Sequence, residues 1–169
     1  MSVIGVAIEI PEPYGTQLRQ HRASYGDINA ATVPTHITLI PPTEVDDADL
    51  EQFEKNLAQV AQKHSPFDIT LRGTGTFRPV SPVVFVSVVE GISPTEQLAA
   101  DSRALIEDLS YQFPYHPHVT VAQEVSEEAL DQAFNDLADF QCRWRVENFC
   151  MYTQNGSPEW RKHRQFDLA

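Results

Sequence analysis

Two triplets carry residue types that could do chemistry. His36-Ile37-Thr38 and His118-Val119-Thr120 stand 82 positions apart, each in a short apolar run with strand character. Side chains alternate faces along a strand, so His36 and Thr38 point one way and Ile37 and Leu39 the other. His118 and Thr120 are opposed in the same manner by Val119 and Val121. Each polar face then holds an imidazole and a hydroxyl about 7 Å apart. If an approximate two-fold axis relates the triplets, two imidazoles and two hydroxyls surround one point. That set suits a tetrahedral phosphodiester. Displacement at phosphorus needs a base on the attacking oxygen and an acid on the leaving oxygen, roughly in line. Histidine, with a pKa of about 6.5, can be either near neutrality. Threonine hydroxyls can hold the non-bridging oxygens. This chemistry requires no metal.

The elements that would position the triplets recur with them. The β-branched run at 3–8 is matched by that at 83–88. Leu18 and Leu98 occupy the helix-like segments that follow, and the second has start signals in Ser93 as N-cap, Pro94 at the first helical position and Glu96 as capping-box partner. After each triplet comes an acidic amphipathic helix. Leu50, Phe53, Leu57 and Val60 share one face of the first; Leu130, Phe134 and Leu137 share one face of the second, with Ser126 as its N-cap. The halves close on strand-like sequence at 67–72 and 142–152, and a last short strand covers 165–168. Residues 73–82, with two Gly and two Pro, connect the halves. The repeat, about 1–77 and 78–169, is too long for a solenoid unit. The reading is one α+β domain over 1–169. It has two pseudo-symmetric strand–helix–strand–helix–strand lobes that exchange strands, with antiparallel sheets lining a central cleft and helices outside.

The second motif, Tyr115-His116-Pro117-His118-Val119-Thr120-Val121, resembles the aromatic-x-Pro-His-hydrophobic-Thr-hydrophobic pattern of the two-histidine (2H) phosphoesterase superfamily, in its 2′,5′-RNA ligase-like and cyclic nucleotide phosphodiesterase branch. The first, Pro34-Thr35-His36-Ile37-Thr38-Leu39, matches at the histidine, the threonine and the flanking apolar positions. The end of the chain, 152–168 with Trp160, resembles the closing strands of the RNA-ligase-like branch. The resemblance covers essentially the whole chain. It implies metal-independent opening of a cyclic phosphodiester, a 2′,3′-cyclic phosphate of a nucleotide or RNA end or a related 2′,5′ linkage. It implies His36 and His118 as the acid–base pair, Thr38 and Thr120 as phosphate ligands, and no cofactor. Two positions depart from it. Gln123 stands where ligase-like relatives often carry a basic residue, and Pro41-Pro42 shorten the strand of the first motif. Both favour hydrolysis over RNA ligation.

Tyr115, His116, Phe77 and Arg78 are candidate substrate-binding residues. Phe77, Tyr115 and Trp160 could stack on a base, against core packing as the plainer role. Arg78, Arg143, Arg145 and Arg161 could reach a second phosphate, against surface salt bridging. His116 and His118 share a strand face, but no third metal ligand stands at a recognisable spacing. His21, His64 and His163 read as solvated, and Cys142 and Cys150 as buried thiols too few for a disulfide framework. A second function stays open, a non-catalytic module that binds a phosphate or an RNA end, because these groups bind phosphate as well as transform it.

The 169 residues carry 12 Lys plus Arg against 24 Asp plus Glu, a formal charge of −12. Twelve of the acids lie in 44–54 and 124–139, which contain no Lys or Arg, so the rest of the chain is balanced. Such acidity argues against a broad grip on long nucleic acid but allows a small phosphate ligand. No apolar run approaches the roughly 20 residues of a membrane span. The amino-terminal residues read as a strand rather than a signal peptide. The expected setting is a cytoplasmic monomer acting on a small cyclic nucleotide or RNA end.

Overall fold

The computed structural model describes residues 1–107, 109 and 114–169. In chain order the elements are β1 (Ser2–Glu9), α1 (Tyr14–Ser24), a 3-10 turn (Ile28–Ala31), β2 (His36–Val45), α2 (Leu50–Gln62), β3 (Phe67–Thr76), β4 (Val83–Glu90), α3 (Ile92–Arg103), β5 (His118–Gln123), α4 (Glu127–Asp136), β6 (Gln141–Val146), β7 (Asn148–Gln154) and β8 (Arg161–Asp167). The strands form two antiparallel sheets, ordered β2–β1–β7–β8 and β5–β4–β3–β6. With four helices packed around them among the described residues, the fold is α+β.

The repeat in the sequence does not map onto the sheets half by half. Strand β3 ends the first half but pairs with β4 and β6; β7 and β8 end the second half but complete the sheet of β1. The connection between β3 and β4 is short, so the two strands fold back as antiparallel neighbours. The sheets then correspond strand for strand, β2 with β5, β1 with β4, β7 with β3 and β8 with β6. The helices cross over as well: α1 packs against β5, and α3 against β2.

One apolar cluster runs through both halves. It includes the outward faces of the motif strands, Ile37 and Leu39 of β2 and Val119 and Val121 of β5, all fully buried. Leu18 of α1 and Leu98 of α3 are sealed in the same cluster. Helix α2 buries Phe53, Leu57 and Val60, with Leu50 at its edge, and α4 buries Leu130, with Leu137 just past its end. Ser126 caps α4, its side chain accepting the Ala129 N–H at 3.1 Å. No helix among the described residues is long and apolar enough to cross a membrane.

Five boundaries differ from the sequence reading. Helix α3 starts at Ile92, not after Ser93, and its N-cap is Gly91 at φ 88°. A Cβ on Gly91 would come within 2.4 Å of the Asp68 carbonyl oxygen, so the tight exit from β4 past β3 requires glycine and sets the helix start. Pro41 and Pro42 do not shorten β2, which runs on to Val45. As an edge strand it can spare two N–H groups, and the pairing with β1 slips between Ile4 and Val6 to accommodate them. The segment 142–152 is two strands that part at Glu147 and enter different sheets. Strand β3 continues through Thr76 and β8 begins at Arg161, so both exceed their predicted spans.

Gly91→Ala is expected to lower stability by at least about 1–2 kcal/mol from the left-handed backbone alone. Ser93→Ala, at an exposed position, should stay within about 0.5 kcal/mol. Urea denaturation midpoints of the two variants separate the observed helix start from the sequence-predicted one.

Candidate active site

Both motif histidines open their strands, and each is held the same way. Nδ1 of His36 lies 2.6 Å from the Pro34 carbonyl oxygen, and Nδ1 of His118 lies 2.6 Å from that of His116. A carbonyl only accepts, so Nδ1 carries the hydrogen in both rings. The neutral ring then keeps its lone pair on Nε2. Pro117, by disfavouring a helical conformation at His116, helps present that carbonyl from extended backbone.

Strands β2 and β5 are the facing edges of the two sheets, and they touch. A cavity of about 290 Å³ opens there, lined by His36 and Thr38 of β2 and by Thr120 and Gln123 of β5. Tyr152 of β7 and Trp160 line its far side, where the Trp160 ring stands over Gly5. His118 lies against Phe77, whose ring centroid is 5.0 Å away at 90°, and against Phe85 at 5.3 Å. Gly75 is what admits Phe85: a Cβ there would come within 2.6 Å of the ring.

Burial lowers the pKa of both histidines. For His36, desolvation is the main cause, opposed by the bond to Pro34 and reinforced by the Arg22 charge. His118 is pushed down to about 4, chiefly by desolvation, with His116 and His36 adding to the effect. At neutral pH the unliganded site therefore holds two uncharged imidazoles. A bound anion would reverse part of that shift by favouring the charged form.

The structure brings His36, Thr38 and Thr120 to one cavity and sets His118 beside Phe77 and His116. Tyr115 takes a different position from a stacking platform. Its hydroxyl donates to the Thr38 carbonyl oxygen at 2.7 Å, and the Arg103 guanidinium lies 4.5 Å over its ring. Arg103 Nε donates to the next carbonyl, that of Leu39, at 2.7 Å. Arg78 is engaged by α4, through Asp131 at 2.8 Å and Glu127 at 3.1 Å. Arg143 pairs with Glu90 and Asp68, Arg145 with Asp68, and Arg161 with Glu159. His64 and His163 are not simply solvated: they meet Asp101 and Glu54. His21 meets the Tyr25 hydroxyl. Cys142 and Cys150 are buried free thiols. Among the described residues no group of three or more His, Cys, Asp or Glu side chains is placed to hold a metal ion.

Three residues at the site escaped the sequence reading. Arg22 lines the cavity from α1, and buried Asp27 holds it. The available signal was position: Arg22 follows the buried Leu18 by four residues and so shares its inward face. Tyr152 was read only as strand sequence. Its hydroxyl is buried against the Cys150 thiol.

Comparison with known proteins finds relatives in sequence and in fold. The family model described as the 2′-5′ RNA ligase superfamily matches residues 10–158. A Bacillus pumilus protein named "Putative phosphoesterase" is 30% identical over 148 residues, 85% of this chain and 84% of its own. An Oceanobacillus iheyensis protein of the same designation is 26% identical over 170 residues, 98% of this chain and 97% of its own. In fold, the chain is similar to Escherichia coli LigT solved with NADP+, with a TM-score of 0.71 at 19% identity over 99% of this chain and 98% of that one. LigT solved with 3′-AMP gives 0.70 at 20% identity over the same shares.

The depressed histidines make stability pH-dependent. Between about pH 6.5 and 4 the unfolded chain binds protons that the folded His118 does not, so stability falls as pH is lowered through that window. His118→Asn should flatten this slope by close to one proton. Urea midpoints across pH, with NMR titration of the imidazole C–H signals, check both the slope and the residue responsible.

Proposed function

The chain belongs to the 2′-5′ RNA ligase superfamily, and from that premise we propose that it is a phosphodiesterase. It opens a cyclic phosphodiester, the 2′,3′-cyclic phosphate of a nucleotide or RNA end or a related 2′,5′ linkage, by two-histidine acid–base catalysis. One observation carries the reading: the two edge strands face each other with equivalent histidines, each ring oriented through Nδ1 by the carbonyl two residues back. The phosphoesterase names of the curated relatives support the same reaction class.

In the proposed reaction one neutral Nε2 takes a proton from water as the water oxygen bonds to phosphorus. The other histidine, protonated once the anionic substrate offsets its desolvation, gives a proton to the departing ribose oxygen as that P–O bond breaks. The product is a phosphomonoester and a free hydroxyl. The histidines have exchanged protonation states, and solvent resets them. Thr38 and Thr120 donate to the non-bridging oxygens, where charge builds in the transition state. The wing of the cavity toward Trp160 and Tyr152 has room and an apolar surface for the nucleoside. His116 and Phe77 pack around His118 and limit its contact with water.

A panel of 2′,3′-cyclic nucleotides and 2′,5′-linked dinucleotides, with product positions identified, tests the proposal. His36→Asn and His118→Asn should each lower kcat by about 10²- to 10⁴-fold, the usual contribution of a general acid or base. Activity should be insensitive to EDTA. Normal turnover by both histidine variants would overturn the mechanism, and saturable binding with no turnover by the unaltered protein would make the cleft a binding module.

A further inference from the structure

Arg22 is the one Lys or Arg among the described residues that line the cavity. It is only 7% exposed, deep in a chain of net charge −12. A guanidinium so placed must be matched by acceptors. The protein supplies one side of it. Nε donates to Asp27 Oδ2 at 2.7 Å, and the side chain forms no other hydrogen bond among the described residues. The four N–H groups on the two terminal nitrogens find no acceptor among the described residues, and the side chain lines the cavity.

Asp27 is built to hold that geometry. Its carboxylate, 4% exposed, also accepts the Asn29 N–H at 2.9 Å and the Gln123 N–H at 2.9 Å. It therefore joins α1, the 3-10 turn and the end of β5 at one point. Three donors on one carboxylate compensate its burial and leave the guanidinium little freedom to turn. The position is specific to the first half of the chain. Its counterpart in α3, four residues after Leu98, is Ser102, which is buried and donates to its own helix at the Leu98 carbonyl. The repeat supplies paired histidines and threonines but a single cation, and that cation lies on the His36 side, near enough to act on the ring electrostatically.

We propose that Arg22 binds the non-bridging oxygens of the phosphate in this cleft, and that Asp27 is the positioning residue that aims it. The proposal rests on the reading of the cleft as a phosphodiester site. It assigns the substrate's charge to a residue on α1, where Gln123 on the motif strand itself is uncharged. A planar fork can meet two phosphate oxygens at once, which a lysine cannot.

The test uses inorganic phosphate as the probe, so it does not depend on turnover. Isothermal titration compares the unaltered protein, Arg22→Lys, Arg22→Gln and the double variant Arg22→Gln/Asp27→Asn. The double variant removes both buried charges together and guards against loss of fold from an unpaired carboxylate. The expected result is a double variant that melts as a folded protein and binds phosphate about 10- to 100-fold more weakly, the loss of a charged hydrogen-bonding partner. Arg22→Lys should fall between. Phosphate binding at the unaltered level by the folded double variant, or no phosphate binding by the unaltered protein, would overturn the inference. If phosphate binds through Arg22 but no cyclic phosphodiester is turned over, the inference stands and the proposed reaction fails. If turnover is normal in the folded double variant, the reaction stands and the role of Arg22 fails.

Discussion

Both motif strands are edge strands, and the molecule must hold two open edges face to face without letting them pair. A free edge exposes backbone groups that seek partners. Here side chains from the opposite half meet several of them. Tyr115 and Arg103 donate to the carbonyls of Thr38 and Leu39 on β2, and Asp27 accepts the N–H of Gln123 on β5. These contacts satisfy part of each edge and tie the two halves together. They also explain the crossed packing, in which α1 sits on β5 and α3 on β2. Arg103 on α3, Tyr115 just before β5 and Asp27 just past α1 each reach a motif strand of the opposite half.

Charge is distributed to suit that arrangement. The acidic stretches fall on α2, α4 and the segments leading into them. Part of α4's acid is used internally, since Glu127 and Asp131 hold Arg78 and Asp136 accepts from the Tyr25 hydroxyl. Of Lys, Arg, Asp and Glu, the one that lines the cavity among the described residues is a cation, Arg22. An acidic exterior around one buried positive group discourages loose adsorption of a polyanion and leaves a local site for a single phosphate.

Much of this was legible in the sequence because it is periodic. Alternation along 36–39 and 118–121 assigned one face to chemistry and one to the core, and Ile37, Leu39, Val119 and Val121 are fully buried. Spacings of three and four assigned the buried faces of α2 and α4. What was not legible is non-local. Whether Ser93 or Gly91 begins α3 depends on the Asp68 carbonyl, a group on a strand more than twenty residues earlier. Whether Pro41 and Pro42 end β2 depends on its being an edge. Tyr115 was readable as an aromatic beside a motif, but its carbonyl partner at Thr38 lies on the other sheet.

The sequence by itself determined that the chain is a duplicated α+β unit with two equivalent histidine–threonine faces. Strand alternation and helical period are properties of a few consecutive residues, and they survive any arrangement of the elements. Only the tertiary structure decided which strands change sheets, that both motif strands lie at facing edges, and that Asp27 ties Arg22 of α1 to the end of β5. Those facts depend on which backbone groups remain unpaired after the sheets form and which distant side chains can reach them. No local pattern encodes that, because the deciding hydrogen bonds, from Gln123 to Asp27 and from Tyr115 to Thr38, join residues 96 and 77 positions apart.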